Sequence, residues 1–176
     1  SDNLSKYRPL INKALGSFLQ DESWLRANAE RPRLESYIPT PRRPSGAALL
    51  AVENKETFMT LPFDKCGFAG LVYGGGHLNS VAAKLLQIVE QSGIKLFYFG
   101  DLDPDGLLIF QQAESLLNGQ LVPWHMDAKT YRRYMRFGYP LSEGSSARLS
   151  QLHEPRFADL SKLIYQHGRG VEQEVI

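Results

Sequence analysis

The chain has 176 residues, 43% of them apolar and 22% charged, with a formal net charge of +1. That composition supports a buried core and excludes a disordered polar chain, while no apolar run approaches the length of a membrane span. A single cysteine, Cys66, excludes an internal disulfide framework and a cysteine-rich zinc site, and reads as a small buried or half-buried residue. The opening Ser-Asp-Asn-Leu-Ser-Lys lacks the basic and then apolar pattern of a secretory leader. A cytoplasmic globular protein is expected, and the start on Ser1 rather than Met points to a piece of something longer.

Residues 4–20 place Leu4, Tyr7, Leu10, Ile11, Leu15 and Phe18 at spacings of three or four, the pattern of an amphipathic helix. Pro32, Pro39, Pro41 and Pro44 then mark an extended linker, so residues 1–44 read as an N-terminal helical arm and linker ahead of a domain over 45–176. From there strand and helix signals alternate. Residues 46–52 form an apolar run ending at Glu53-Asn54, and residues 70–73 a short strand running into Gly74-Gly75-Gly76. Residues 79–91 read as a helix, 94–99 as a strand, 106–117 as a helix and 119–124 as a fourth strand. The alternation predicts an α/β fold with a central, mostly parallel four-stranded sheet flanked by helices. In such sheets function gathers at the carboxyl ends of the strands, where Glu53 and the Asp101 segment fall.

The charges are unevenly placed. Residues 1–44 hold eight basic against five acidic side chains, residues 45–127 four against nine, and residues 128–176 eight against five. An acidic middle between basic ends suits carboxylates holding a divalent metal beside flanks holding a polyanion. It equally suits a surface that is merely unevenly charged.

The strongest signal is Gly100-Asp101-Leu102-Asp103-Pro104-Asp105-Gly106, directly after an apolar strand. In extended backbone, Asp101 and Asp103 share one side, and their repulsion is costly without a cation. Hard oxygen donors in so small a number suit Mg²⁺ or Mn²⁺. Glu53, at another strand end, could add a metal ligand or a general acid/base. Other readings stand beside this one. An EF-hand loop would want Glu rather than Gln112 at its twelfth position and a helix before it. A haloacid-dehalogenase-like phosphatase would want a different run after its aspartates than Pro104 and Leu107. The turn could also simply cap the next helix.

Val52-Glu53-Asn54-Lys55-Glu56-Thr57-Phe58 followed by Gly100-Asp101-Leu102-Asp103-Pro104-Asp105-Gly106 resembles the TOPRIM fold of topoisomerases and primases, in the form shared by the topoisomerase VI A subunit and its meiotic relatives. With Val72-Tyr73-Gly74-Gly75-Gly76, Met126-Asp127 and Val171-Glu172-Gln173-Glu174, residues 45–176 are similar to the C-terminal TOPRIM domains of the JetD (MksG) family of Wadjet plasmid-defence nuclease subunits. The resemblance implies a TOPRIM-like Rossmannoid domain that nicks or cleaves double-stranded plasmid DNA with Mg²⁺ or Mn²⁺, beside SMC/condensin-like subunits and a possible second copy of itself. By position it makes Glu53 the catalytic glutamate and Asp101 and Asp103 the metal-binding pair, with Asp105, Glu172 and Glu174 as further candidate metal ligands. Glu172 and Glu174 could instead pair with the basic segment around Arg169. Topoisomerase relatives cut through a tyrosine on a preceding winged-helix domain, which 44 proline-rich residues are too few to supply. Tyr7 and Tyr37 are therefore poor nucleophiles, and metal-activated water is expected instead.

Lys129, Arg132, Arg133 and Arg136 recur at helical spacing with Tyr131 and Tyr134 interleaved, and Arg42 and Arg43 could extend the same track. Such a face contacts DNA phosphates without reading sequence, or is a solvated basic face over inward tyrosines. Gly74-Gly75-Gly76-His77 could cradle a phosphate or be a tight turn. His77 and His125 read as structural or solvated, and Asp127 as the cap of the helix that follows it. A phosphoryl-transfer phosphatase and a non-catalytic, metal-stabilised assembly or DNA-binding module remain as rival functions.

Overall fold

The apolar runs pair into one sheet. The computed structural model describes residues 37–39, 48–63, 65–74, 86–87, 90, 94–117 and 121–176. In it, β1 (Tyr37–Pro39), β2 (Ala48–Val52), β3 (Gly70–Tyr73), β4 (Lys95–Phe99) and β5 (Leu121–Pro123) lie in the order β1-β3-β2-β4-β5. The strands β3, β2, β4 and β5 run parallel, which is the expected four-stranded core. The edge strand β1 pairs antiparallel with β3, so part of the proline-rich stretch read as linker joins the sheet. An edge is where a sheet tolerates proline, because the missing N–H leaves no ladder bond unmade there. The predicted arm helix, Arg42, Arg43 and residues 75–77 lie outside the described residues.

Why β2 was so plain in the sequence follows from where it sits. Leu49, Leu50, Ala51 and Val52 are all buried, and a strand covered on both faces shows a continuous apolar run rather than alternation. The helices are α1 (Lys55–Thr60), α2 (Pro104–Ser115), α3 (Ala128–Tyr134), α4 (Glu143–Ala147) and α5 (Ala158–His167). Leu86, Gln87 and Glu90 are also helical, within the segment read as the first crossover helix. The apolar side of α2 buries Leu107, Ile109, Phe110 and Ala113. Phe110 meets Tyr98 of β4 and Phe157 edge-on, with ring centroids 5.6 and 4.9 Å away. A ring so enclosed contributes about 1.5–3 kcal/mol through burial alone.

Some boundaries differ from expectation. The helix α2 starts at Pro104 rather than residue 106, because Asp103 caps it and proline is at ease in a first turn. Cys66 is exposed rather than buried, since it rides the turn that Pro62 opens and Gly67 closes at φ +85°. After α3 the chain forms a two-stranded antiparallel ribbon, β6 (Tyr139–Pro140) with β7 (Arg169–Gly170). The helix α5 between them stops at Gly168, whose φ of 58° supplies the left-handed end. Beyond β7, Val171 exchanges backbone hydrogen bonds with Leu102 and carries the C-terminus across the strand ends. Among the described residues no helix is long and apolar enough to cross a membrane.

Candidate functional site

Parallel pairing of β2 with β4 puts Val52 opposite Phe99, so the chain leaves both strands at the same level of the sheet. The next residues are Glu53 on one strand and Gly100-Asp101 on the other. The Glu53 amide donates to Phe99 O at 3.1 Å, and the Asp101 amide donates to Glu53 Oε2 at 3.4 Å. Glycine at 100 is what permits this approach: a Cβ there would stand 2.5 Å from Glu53 Oε2. Glycine at 106 serves the same loop, since its Cβ would stand 2.3 Å from the Asp101 carbonyl oxygen.

The aspartates of the turn have different partners. Asp103 is buried, and its Oδ1 accepts from the Gly106 amide at 2.7 Å as the N-cap of α2. Its Oδ2 accepts from the Tyr139 hydroxyl of the ribbon. Asp105 points to Arg148 instead, in a 2.7 Å ion pair with both side chains nearly half exposed.

The C-terminal segment closes the site. Gln173 is 2% exposed, and its amide N–H donates to Asp101 Oδ1 at 2.8 Å. The Gln173 side chain accepts from the Asn54 amide at 2.7 Å and donates to Phe99 O at 3.2 Å. Asn54 caps α1 through Oδ1 and donates from Nδ2 to Glu174. Arg169 does not hold this end of the chain by charge: its guanidinium donates to the Gly138 carbonyl of the ribbon. Glu172 and Glu174 are exposed, and both carboxylates act on Asp101 through space.

Burial and mutual repulsion dominate the electrostatics. Glu53 is pushed up to about 8, first by burial and then by the charges of Asp101 and Asp103. Burial also lifts Asp101 to about 7, against the Gln173 amide that holds it down, with Asp103, Glu174 and Glu172 pushing the same way as burial. Tyr98, buried beside Glu53, is raised by burial, by the Glu53 and Asp101 charges and by its side-chain interaction with Glu53. Among the described residues no three side chains already stand around one point as a finished metal cage. The donor chemistry nevertheless fits a hard divalent cation. Crowded, desolvated carboxylate oxygens that hold protons near neutrality are donors a Mg²⁺ or Mn²⁺ charge would return to their ionised form.

The basic face is real as geometry. Lys129, Arg132, Arg133 and Arg136 are exposed on α3 and the turn after it, while Tyr131 is fully buried and donates to Arg169 O at 2.8 Å. Outward cations and inward tyrosine therefore coexist. Arg136 lies over the exposed Phe137 ring at 4.5 Å. Asp127 caps α3 through the Thr130 amide at 2.7 Å, as expected. His125 is exposed with φ 56° and packs its ring on Trp124 at 4.2 Å.

Sequence reasoning missed Asn54, Tyr98, Tyr139 and Gln173. Asn54 carried a signal, an Asn just ahead of a helix with Glu56 in its first turn. The other three are brought in by tertiary pairing and carried none.

Residues 30–176 match the model of the family described as Wadjet protein JetD, C-terminal. The chain is 27% identical over 137 residues to the Wadjet protein JetD of Bacillus cereus (strain Q1), an alignment covering 73% of this chain and 33% of that protein. It thus spans about a third of the length of that relative. With the match extending over most of its residues, strand-end carboxylates included, the chain belongs to the JetD C-terminal family.

Proposed function

We propose that this chain is a TOPRIM-type catalytic domain that nicks or cleaves plasmid DNA with Mg²⁺ or Mn²⁺, as part of a Wadjet nuclease subunit working with SMC/condensin-like partners. The observation that carries the reading is the meeting of Glu53 and Asp101 at the ends of adjacent parallel strands, both half-buried and both pushed up toward neutrality, first by burial and then by neighbouring carboxylates. Glu53, Asp101 and Asp103 would hold the cation, with Glu172 and Glu174 adding negative potential at the rim. The cation would supply charge to polarise the scissile phosphate. Glu53 and Asp101, returned to carboxylates, can accept a proton from an attacking water. The Lys129, Arg132, Arg133 and Arg136 face would hold the duplex through its phosphates, with no sequence preference.

Tyr139 sharpens the choice of nucleophile, because its hydroxyl touches Asp103. Burial of the hydroxyl, and then that hydrogen bond, make its proton harder to remove, which disfavours attack by the tyrosine and favours water. The test is plasmid cleavage in Mg²⁺ or Mn²⁺, with the partner subunits supplied if the chain is silent alone. Wild type should cut and stop in EDTA. Glu53→Gln, Asp101→Asn and Asp103→Asn should each abolish cutting while DNA binding persists. Tyr139→Phe should still cut and should trap no covalent adduct. Full cutting by Asp103→Asn would sink the metal assignment, and an adduct dependent on Tyr139 would return the protein to a topoisomerase-like mechanism. Hydrolysis of small phosphate esters without DNA cleavage would favour the phosphatase reading.

A further inference from the structure

Gln173 is a buried polar side chain placed where the two strand ends meet, and its hydrogen bonds leave no choice in how its amide is turned. The Asn54 amide can only donate, so the Gln173 oxygen faces it, at 2.7 Å. The Phe99 carbonyl can only accept, so the Gln173 nitrogen faces that, at 3.2 Å. One side chain thus spans the residue after Glu53 and the last residue of β4, two before Asp101. Its backbone N–H then fixes a carboxylate oxygen of Asp101 at 2.8 Å. Glutamate here would set a second lone pair against the Phe99 carbonyl and add charge among Glu53, Asp101, Glu172 and Glu174. Leucine or methionine would leave the Asn54 N–H without its acceptor and the Phe99 carbonyl with only the Glu53 N–H. Only a neutral group that accepts at one end and donates at the other satisfies the position.

We infer that Gln173 is a positioning residue that sets the separation of Glu53 and Asp101, and through it the affinity of the site for a divalent cation. The inference rests on the metal-site reading above. Gln173 need not touch the cation: it clamps the strand ends from which two of the ligands project. Residues acting on ligands from outside in this way change metal affinity by roughly 10–100-fold when replaced.

The test is Mn²⁺ binding to the full chain, read by the electron paramagnetic resonance signal of free Mn²⁺, which requires no activity. Wild type should bind. Gln173→Met, close in volume but unable to bridge, should bind at least about tenfold more weakly. Tyr131→Phe serves as the control, because it removes a partly buried hydrogen bond to the same C-terminal segment without touching a carboxylate. It should lower the melting temperature in EDTA and leave Mn²⁺ affinity unchanged. If Gln173→Met does not melt cooperatively, Gln173→Asn, which keeps the amide one carbon short of the span, decides by the same criterion. Unchanged affinity in the folded Gln173 variant, with wild type binding, overturns the positioning role and leaves the metal reading standing. Equal weakening by Tyr131→Phe would reduce Gln173 to a general support of the fold and overturn the role as well. Absence of Mn²⁺ binding by wild type overturns the metal reading, and this inference with it.

Discussion

Glu53 and Asp101 keep protons that ordinary carboxylates would have lost, and that has a consequence for stability. Unfolded, they titrate near 4.5 and 3.8; folded, near 8 and 7. As pH rises from 5 to 8 the unfolded chain has already released these protons while the folded chain still holds them, so the folded state loses ground. The cost is complete only above the folded values, and it is on the order of several kcal/mol for the pair. Glu154 works the other way, being held down to about 2 first by its hydrogen bond from Arg156, but its contribution is lost only below pH 4.5, outside this window. The melting temperature in EDTA should therefore fall by several degrees between pH 5 and 8. Saturating Mg²⁺ or Mn²⁺ should flatten the decline, because a ligand of the folded state alone adds stability. Asp101→Asn should flatten it without metal, as its amide oxygen can still accept from the Gln173 N–H. A pH-independent melting temperature in EDTA would show that the two carboxylates are not crowded.

The helix α2 shows how one side chain serves both an element and a site. Asp103 holds the first turn through the Gly106 amide and faces Tyr139 with its other oxygen. Asp103→Ala removes the cap and should cost about 0.5–2 kcal/mol, measured by denaturant unfolding. Asp103→Asn keeps an acceptor for Gly106 and should cost much less, yet cutting should be lost in both. If both variants unfold alike, the cap is not what Asp103 contributes. The elements that were legible in the sequence are those whose cause is local. The strand β2 is an apolar run because it is buried on both faces, and α2 announces itself by an aspartate, a proline and an apolar stripe. The ribbon was not legible, because two-residue strands have no periodicity and Gly138 and Gly170 approach each other only through the fold. Of the candidate site, the carboxylates stood out in the sequence and the amide that bridges their strand ends did not. Gln173 reaches Asn54 across 119 positions and Asp101 across 72, and nothing in Glu-Gln-Glu distinguishes a bridging amide from a solvated one.

Across the described molecule, the basic helix α3 and the carboxylate loop are joined by a chain of hydrogen bonds. The connection is physical: Tyr131 of α3 donates to Arg169, Arg169 donates to Gly138, and Tyr139 donates to Asp103. The basic helix is thereby tied through the ribbon to the aspartate loop, and its exposed cations are the groups that DNA phosphates would engage. Affinity from such contacts comes from release of counterions, so it falls linearly with the logarithm of salt at a slope set by the number of phosphates engaged. The chain should bind duplexes of unrelated sequence equally and lose them steeply as salt rises. Arg132 and Arg133 are exposed, so replacing both by Ala should leave the melting temperature near that of wild type. The replacement should reduce the slope of log affinity against log salt by about one unit per lost contact. Binding isotherms at several salt concentrations, on two duplexes of different sequence, measure both quantities together. A slope unchanged by the double replacement would put the phosphate track elsewhere on the protein and leave α3 as a solvated face over its buried tyrosine.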